Sequence, residues 1–278
     1  MTPLSYPGAF VNYLILTGIL IASIQDLKRR EVDNWLNLLL IFSGFAYLAL
    51  KSVFELNPIY FFFGAVSFLI MYALANAFYY SRIFAGGDAK LLLAMFALFA
   101  GVSLSSTMAD IGIFIIFLML SGSLWGGFYS IILFVSNFKK STREIKKYFS
   151  NFYFRSSIFA GIILFALSFF NIIFLFASVF VFISALLYIF AKAVEKTSLT
   201  KEIPGGELRE GDWLADDVKT GKRTIKAEWA GLSLDDIKIL KKLKKIKIKE
   251  GIPFVPAFLI AVLLWFFRGR ILDFIFMM

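Results

Sequence analysis

Two aspartates stand at the edges of apolar runs, each in its own frame. Asp26 closes the first run, in Ser23-Ile24-Gln25-Asp26-Leu27-Lys28-Arg29-Arg30-Glu31-Val32-Asp33-Asn34. Asp88 opens a later one, in Ala85-Gly86-Gly87-Asp88-Ala89-Lys90. Two carboxyl groups held close together do not both ionise readily, so one keeps a proton. The ionised member can activate water and the protonated member can polarise a peptide carbonyl, which needs no metal and no cofactor. Gly86 and Gly87 suit this chemistry. Without side chains they let a substrate strand approach closely and open backbone angles closed to other residues. Bland explanations compete. Asp88 is also a natural first-turn helix residue, and Asp26 is a natural ion-pair partner for Lys28, Arg29 or Arg30. Each explains one acid; two framed acids on one side of a membrane strain both.

The chain around them has 278 residues, 60% of them hydrophobic, above the roughly 45–50% of soluble domains. It has no cysteine and no histidine. Disulfides, thiolate metal sites, His-ligated metal sites and Ser-His-Asp or Cys-His catalysis are thereby excluded. Carboxylates, Lys and Tyr remain for acid–base work, and no metal or cofactor is expected. The net charge of +10 is read as Lys and Arg gathered in cytoplasmic loops beside anionic headgroups, not as a nucleic-acid surface. No cleavable signal peptide is expected, since the first apolar run is long and lacks a basic n-region.

Apolar blocks cover roughly 8–25, 35–54, 59–80, 89–109, 111–136, 156–191 and 252–267. Most approach the ~20 residues of a spanning helix. The block 156–191 would be about 54 Å long as one helix, too long for one span. It is expected to be a hairpin turning near Asn171. Basic residues collect after the first block (Lys28, Arg29, Arg30), after the third (Arg82, Lys90) and after the fifth (Lys139, Lys140, Arg143, Lys146, Lys147, Arg155), while the loops near 51–58 and at Asp110 carry little positive charge. The positive-inside rule then sets the N-terminus outside and the basic loops in the cytoplasm. Asp26 and Asp88 fall together at the cytoplasmic face.

The predicted architecture is an all-α polytopic membrane protein with 6–8 transmembrane helices and a small cytoplasmic domain before the last helix; the loop pattern favours eight. Four segments follow: a catalytic transmembrane core over 1–137, a basic cytoplasmic loop and transmembrane hairpin over 138–192, the small domain over 193–251, and a C-terminal transmembrane helix over 252–278. The small domain has turn signals at Pro204-Gly205-Gly206 and Thr220-Gly221. Ser233-Leu234-Asp235-Asp236 reads as a capping box. The following Ile237–Ile246 stretch reads as a basic amphipathic helix, lying on the inner membrane face or packing on its own domain.

At this point the chain resembles the GxGD membrane aspartic peptidases, specifically the type IV prepilin peptidases in their archaeal preflagellin form. Asp26, Arg30, Val32 and Asn34 match the first motif. Ala85-Gly86-Gly87-Asp88-Ala89-Lys90 matches the second, with Ala85 in place of its first glycine. The likeness covers about residues 10–130. In the tail, Leu208-Arg209-Glu210-Gly211-Asp212-Trp213 and Glu250-Gly251-Ile252-Pro253-Phe254-Val255-Pro256-Ala257 also look like the archaeal branch. The resemblance implies a plasma-membrane endopeptidase that removes a basic leader from prepilins or archaellins at the cytoplasmic face, with Asp26 and Asp88 as the catalytic pair. It implies Gly86, Gly87, Lys90, Arg30 and Asn34 as supporting residues. Lys90 is expected on a different side of its helix from Asp88, reaching only for headgroups. Bacterial relatives that also methylate the new N-terminus often carry a cysteine-rich loop; with no cysteine here, methylation is not expected. Partners are precursor leader peptides and membrane lipids, and Glu31, Asp33, Asp212, Asp216 and Asp217 are the acids available to a basic leader. Presenilin-type relatives share GxGD, but the Tyr-Asp and Pro-Ala-Leu frames are missing here. The alternatives are an ion- or proton-coupled transporter, which calls for mid-span acids, and a non-catalytic scaffold of a pilus or secretion machine.

Overall fold

A computed structural model describes residues 9–220 and 223–276, without the side chains of Ala9, Arg223, Leu272 and residues 274–276. Gly221 of the expected Thr220-Gly221 turn and the first eight residues lie outside the described residues. The chain divides into two compact units, one of residues 1–127 with 253–278 and one of residues 128–252.

The first unit begins with three apolar helices of spanning length: α1 (Ala9–Arg29), α2 (Asn34–Phe54) and α3 (Ile59–Tyr80). The connections are short. α1 ends at Arg30, whose positive φ of 57° and N–H bond to the Asp26 carbonyl (2.8 Å) close the helix in the left-handed conformation more usual for glycine. Arg82 (φ 61°) follows the end of α3 in the same conformation.

The next apolar block does not form a span. It gives a nine-residue helix, α4 (Gly86–Ala94), then a 3-10 turn at Phe96–Phe99 and a break at Ala100. A long helix, α5 (Leu104–Ser136), follows without interruption. The expected loop at Asp110 is therefore wrong. Asp110 lies inside α5 and pairs with Arg268 at 3.2 Å. Protein packing makes the broken segment possible. Leu91, Leu92, Ala94, Met95 and Phe96 are fully buried, and Phe99 is nearly so, in a core shared with α1, α2, α3, α5 and residues 255–265 near the end of the chain. Irregular backbone is tolerated at membrane depth only inside such a sheath. Its polar groups find partners there: Ser67 Oγ of α3 donates to the Phe96 carbonyl at 2.7 Å. Gly44 of α2 lets the segment in, since a Cβ there would lie 2.9 Å from that of Ala97.

The chain returns to this unit at its end with α10 (Val255–Phe266) and α11 (Arg268–Phe276). α10 is packed on α1, with Val255, Ala257, Phe258, Ala261 and Val262 fully buried. α10 is thus built into the core of the first unit.

In the second unit α6 (Phe138–Tyr148) and α7 (Phe152–Leu167) meet at a 69° bend. α8 (Ile172–Val194) runs back along α7, and the Asn171 side chain caps it by accepting the Ile173 N–H. The long apolar block is two helices, as its length required. Among the described residues five helices are long and apolar enough to cross a membrane, six if the bent α6–α7 pair is one span. The protein is an all-α polytopic membrane protein, with fewer spans than eight because α4 is broken, α5 is continuous and α10 is short.

After α8 comes a small mixed fold. β1 (Thr200–Ile203), β2 (Trp213–Leu214) and β5 (Ile246–Lys249) form an antiparallel sheet with β5 in the middle, and β3 (Val218–Thr220) pairs with β4 (Arg223–Ile225). The capping box is present: Ser233 Oγ accepts the Asp236 N–H, and Asp236 accepts the Ser233 N–H. The helix it starts, α9 (Leu234–Leu240), is shorter than expected. Buried Ile246 and Ile248 alternate with exposed Lys247 and half-buried Lys249 on strand β5. Leu240, Ile237, Ile239 and Leu243 face the domain core with them. The apolar stripe packs on its own domain.

Candidate active site

Asp26 lies one turn before the end of α1 and is only 6% exposed. Its partner comes from far along the chain: the Val255 N–H donates to Asp26 Oδ2 at 2.9 Å. The Phe254 N–H also points at this carboxylate, and Arg30 acts on it through its charge. Val255 is the first residue of α10, so Asp26 caps that helix from outside. A carboxylate suits the position, because the first N–H groups of a helix have no partner within it.

Asp88 lies in the first turn of α4, three residues after its N-cap Ala85, where its carboxylate meets the Ala85 backbone N–H. This half of a capping box is the local reason for an acid at that place. The side chain keeps partial exposure. Asp26 and Asp88 are close enough for their charges to repel one another. Two acids 62 positions apart in the sequence therefore share one site, flanked by the N-termini of two helices.

Gly86 and Gly87 are ordinary helical residues. Among the described glycines only Gly211 and Gly231 have positive φ, so unusual backbone angles are not what the pair supplies. The space is real: nothing lies within 4 Å of where a Gly87 Cβ would be, and only Tyr79, at 3.7 Å, approaches that of Gly86. Lys90 does more than reach for headgroups. Its Nζ donates to Asn34 Oδ1 at 2.8 Å, tying the second motif to the first residue of α2. Asn34 and Arg30 thus both touch the site, through Lys90 and through Asp26.

The acids considered for a basic leader divide. Glu31 is exposed. Asp33 is committed to the α1–α2 turn: its Oδ2 accepts from Arg29 (2.8 Å), Gln25 (3.0 Å) and Trp35 (3.1 Å), and its N–H returns a bond to Gln25 Oε1. Arg29 first, then Trp35, holds its carboxyl below the ordinary range. Asp212 and Asp217 accept the backbone N–H groups of Arg209 and Ala227 and so brace loops of the small domain. Asp216 lines a charged cavity there, beside Lys196 and Lys247. Among the described residues no cluster of acids has the makings of a metal site.

Residues 13–135 match the type IV leader peptidase family. The matched stretch is less than half of the 278-residue chain. It contains both aspartates, Gly86, Gly87, Lys90, Arg30 and Asn34, and stops short of the end of α5. By its several long apolar helices the chain is a multi-pass membrane protein. Neither a curated protein nor a solved structure matches it. Sequence reasoning missed the Val255–Asp26 bond. A backbone N–H leaves no mark in the residue type, and the only signal was Pro253 and Pro256 framing the start of an apolar helix.

Proposed function

We propose that this protein is an aspartic endopeptidase of the plasma membrane that removes the basic leader from pilin- or archaellin-type precursors at the cytoplasmic face, without methylating the new N-terminus. The observation that carries the reading is the meeting of Asp26 and Asp88 inside the stretch that matches the leader peptidases. The basic residues around both motifs favour the cytoplasmic face.

The pair shares one proton. Asp26, already accepting the Val255 N–H, is the better ionised member. It takes a proton from a water molecule as the water oxygen attacks the scissile carbonyl carbon. Asp88 gives its proton to the carbonyl oxygen, and a neutral gem-diol forms. Collapse of the gem-diol breaks the C–N bond; a proton passes to the leaving amine and the other carboxyl is restored. The open space over Gly87 leaves room for the extended strand that bears the bond. Glu31 is the exposed acid of the first motif and the first place for a leader lysine or arginine.

The test is cleavage of a precursor with a basic leader and an apolar helix, by membranes carrying wild-type, Asp26→Asn or Asp88→Asn protein. Each substitution is expected to lower the rate at least about a hundredfold. Cleavage at near wild-type rate by either variant would remove that residue from the pair.

A further inference from the structure

We propose that the start of α10, from Pro253 to Pro256, is a positioning element of the active site: it holds the Asp26 carboxylate in place and braces it against the loop that leads to Asp88. The inference rests on the peptidase reading above and adds to it a segment well beyond residues 13–135.

Four contacts build the element. The Val255 N–H holds Asp26 Oδ2 at 2.9 Å. The Phe254 ring lies 5.4 Å from that of Phe84 and 5.8 Å from that of Phe258, and Phe84 is the buried residue just before Ala85-Gly86-Gly87-Asp88. One residue therefore meets Asp26 through its backbone and the second motif through its ring. Behind it, Trp125 Nε1 of α5 donates to the Pro253 carbonyl at 2.7 Å. Gly122, one turn earlier on α5, clears the space for the ring: a Cβ there would lie 2.6 Å from Phe254 Cζ.

Such a brace has a purpose at a carboxylate pair. Arg30, on the turn after α1, and Asp88, on α4, are the charged groups that act on Asp26; the first turn of α10 brings no charged side chain, only N–H groups. Two backbone donors fix a carboxylate in direction without neutralising it, unlike a lysine or arginine. A shift of even about an ångström in a reacting group costs on the order of a hundredfold in rate. Trp125 and Gly122 thus act on the reaction through Phe254 and Val255.

The experiment measures kcat and KM of the purified full-length enzyme on one precursor, with the folded fraction taken from thermal melting. The variants are Trp125→Phe, which removes the donor to Pro253, and Gly122→Ala, which pushes the Phe254 ring. Gly126→Ala is the control on the same helix, since a Cβ there meets nothing within 4 Å. The expected result is a kcat about tenfold lower per folded molecule at unchanged KM for the first two, and wild-type behaviour for Gly126→Ala. Adding Phe254→Leu to Gly122→Ala should recover part of the lost kcat by making room for the new methyl. The inference is overturned if Trp125→Phe and Gly122→Ala keep wild-type kcat per folded molecule, or if KM moves instead. Asp26→Asn is run alongside. If it still cleaves, the peptidase reading of Asp26 falls and takes this inference with it; if it is inactive while the α5 variants are wild-type, only the brace falls.

Discussion

The segment of α4 and its 3-10 turn, residues 86–99, and the α7–α8 hairpin are both strongly apolar, yet they solve opposite problems. In the first, Leu91, Leu92, Met95 and Phe96 are wholly buried by other helices. In the second, Phe169, Phe170, Phe176 and Phe180 are 70–87% exposed. A chain sheathed by protein is free to break its helix, because a neighbour such as Ser67 can take up the freed carbonyl. A chain facing lipid has no such neighbour and stays regular: α8 runs unbroken for 23 residues. The sheathed segment is the one that carries Asp88 in its first turn. The acid is placed where the surroundings are protein, and the lipid-facing hairpin carries none between Phe152 and Val194.

The contrast should be largest in side-chain truncations. Phe96→Ala empties a site surrounded on all sides and is expected to destabilise the protein by about 3–5 kcal/mol. Phe176→Ala removes an equally large ring from an exposed face and should cost less than about 0.5 kcal/mol. Denaturation in one detergent gives both values. Similar losses in the two variants would break the distinction between the regions. Ser67→Ala sharpens it on a smaller scale. The Phe96 carbonyl would lose its side-chain donor in a dry interior, a cost of about 1–3 kcal/mol, and the loss should centre on the α3–α4 contact in hydrogen exchange. Exchange there at the wild-type rate would mean that the turn does not need this donor.

Much of this was visible in the residues. Asp26 and Asp88 stand out because a charge at the edge of an apolar run has few uses, and the turn at Asn171 follows from a block too long for one span. What escaped did so for physical reasons. Met95 to Ala100 are as apolar as any helix, so the break there is set by Gly44, Ser67 and the neighbours around them. Ile246 and Ile248 continue the helical spacing of Ile237, Leu240 and Leu243, and only pairing of β5 with β1 and β2 makes their two-residue alternation decisive. The α10 contact at Asp26 spans 229 positions and is made by a backbone N–H that any residue but proline would offer. The lysine of the second motif was misplaced for a related reason: α4 is short enough, and close enough to α2, for Lys90 to reach Asn34.

That lysine supplies the next prediction. Lys90→Met keeps the stem and removes the donor to Asn34, at the rim between the sheathed segment and solvent. The exposed bond is worth about 1 kcal/mol. If it aligns the two motifs, kcat should fall by about fivefold, the rate equivalent of that energy, with little change in melting. A variant with unchanged kcat would reduce the bond to a surface contact.

The smallest effect belongs to the turn that carries the first motif. Asp33 draws together Arg29, Gln25 and Trp35, and its carboxyl is held low chiefly by the bond from Arg29. A group whose folded value is depressed stabilises the fold above its ordinary range and loses that contribution as pH falls through the folded value. Asp33→Asn removes the charge at every pH. The melting temperature of wild type should therefore exceed that of the variant at neutral pH, and the gap should close as pH drops below about 4. The α4 segment, sheathed and without such an exposed ion pair, supplies no counterpart. Should no gap appear at neutral pH, the turn would owe its stability to the amide-compatible bonds from Gln25 and Trp35, and the charge of Arg29 would be incidental to holding Asn34 in place for Lys90.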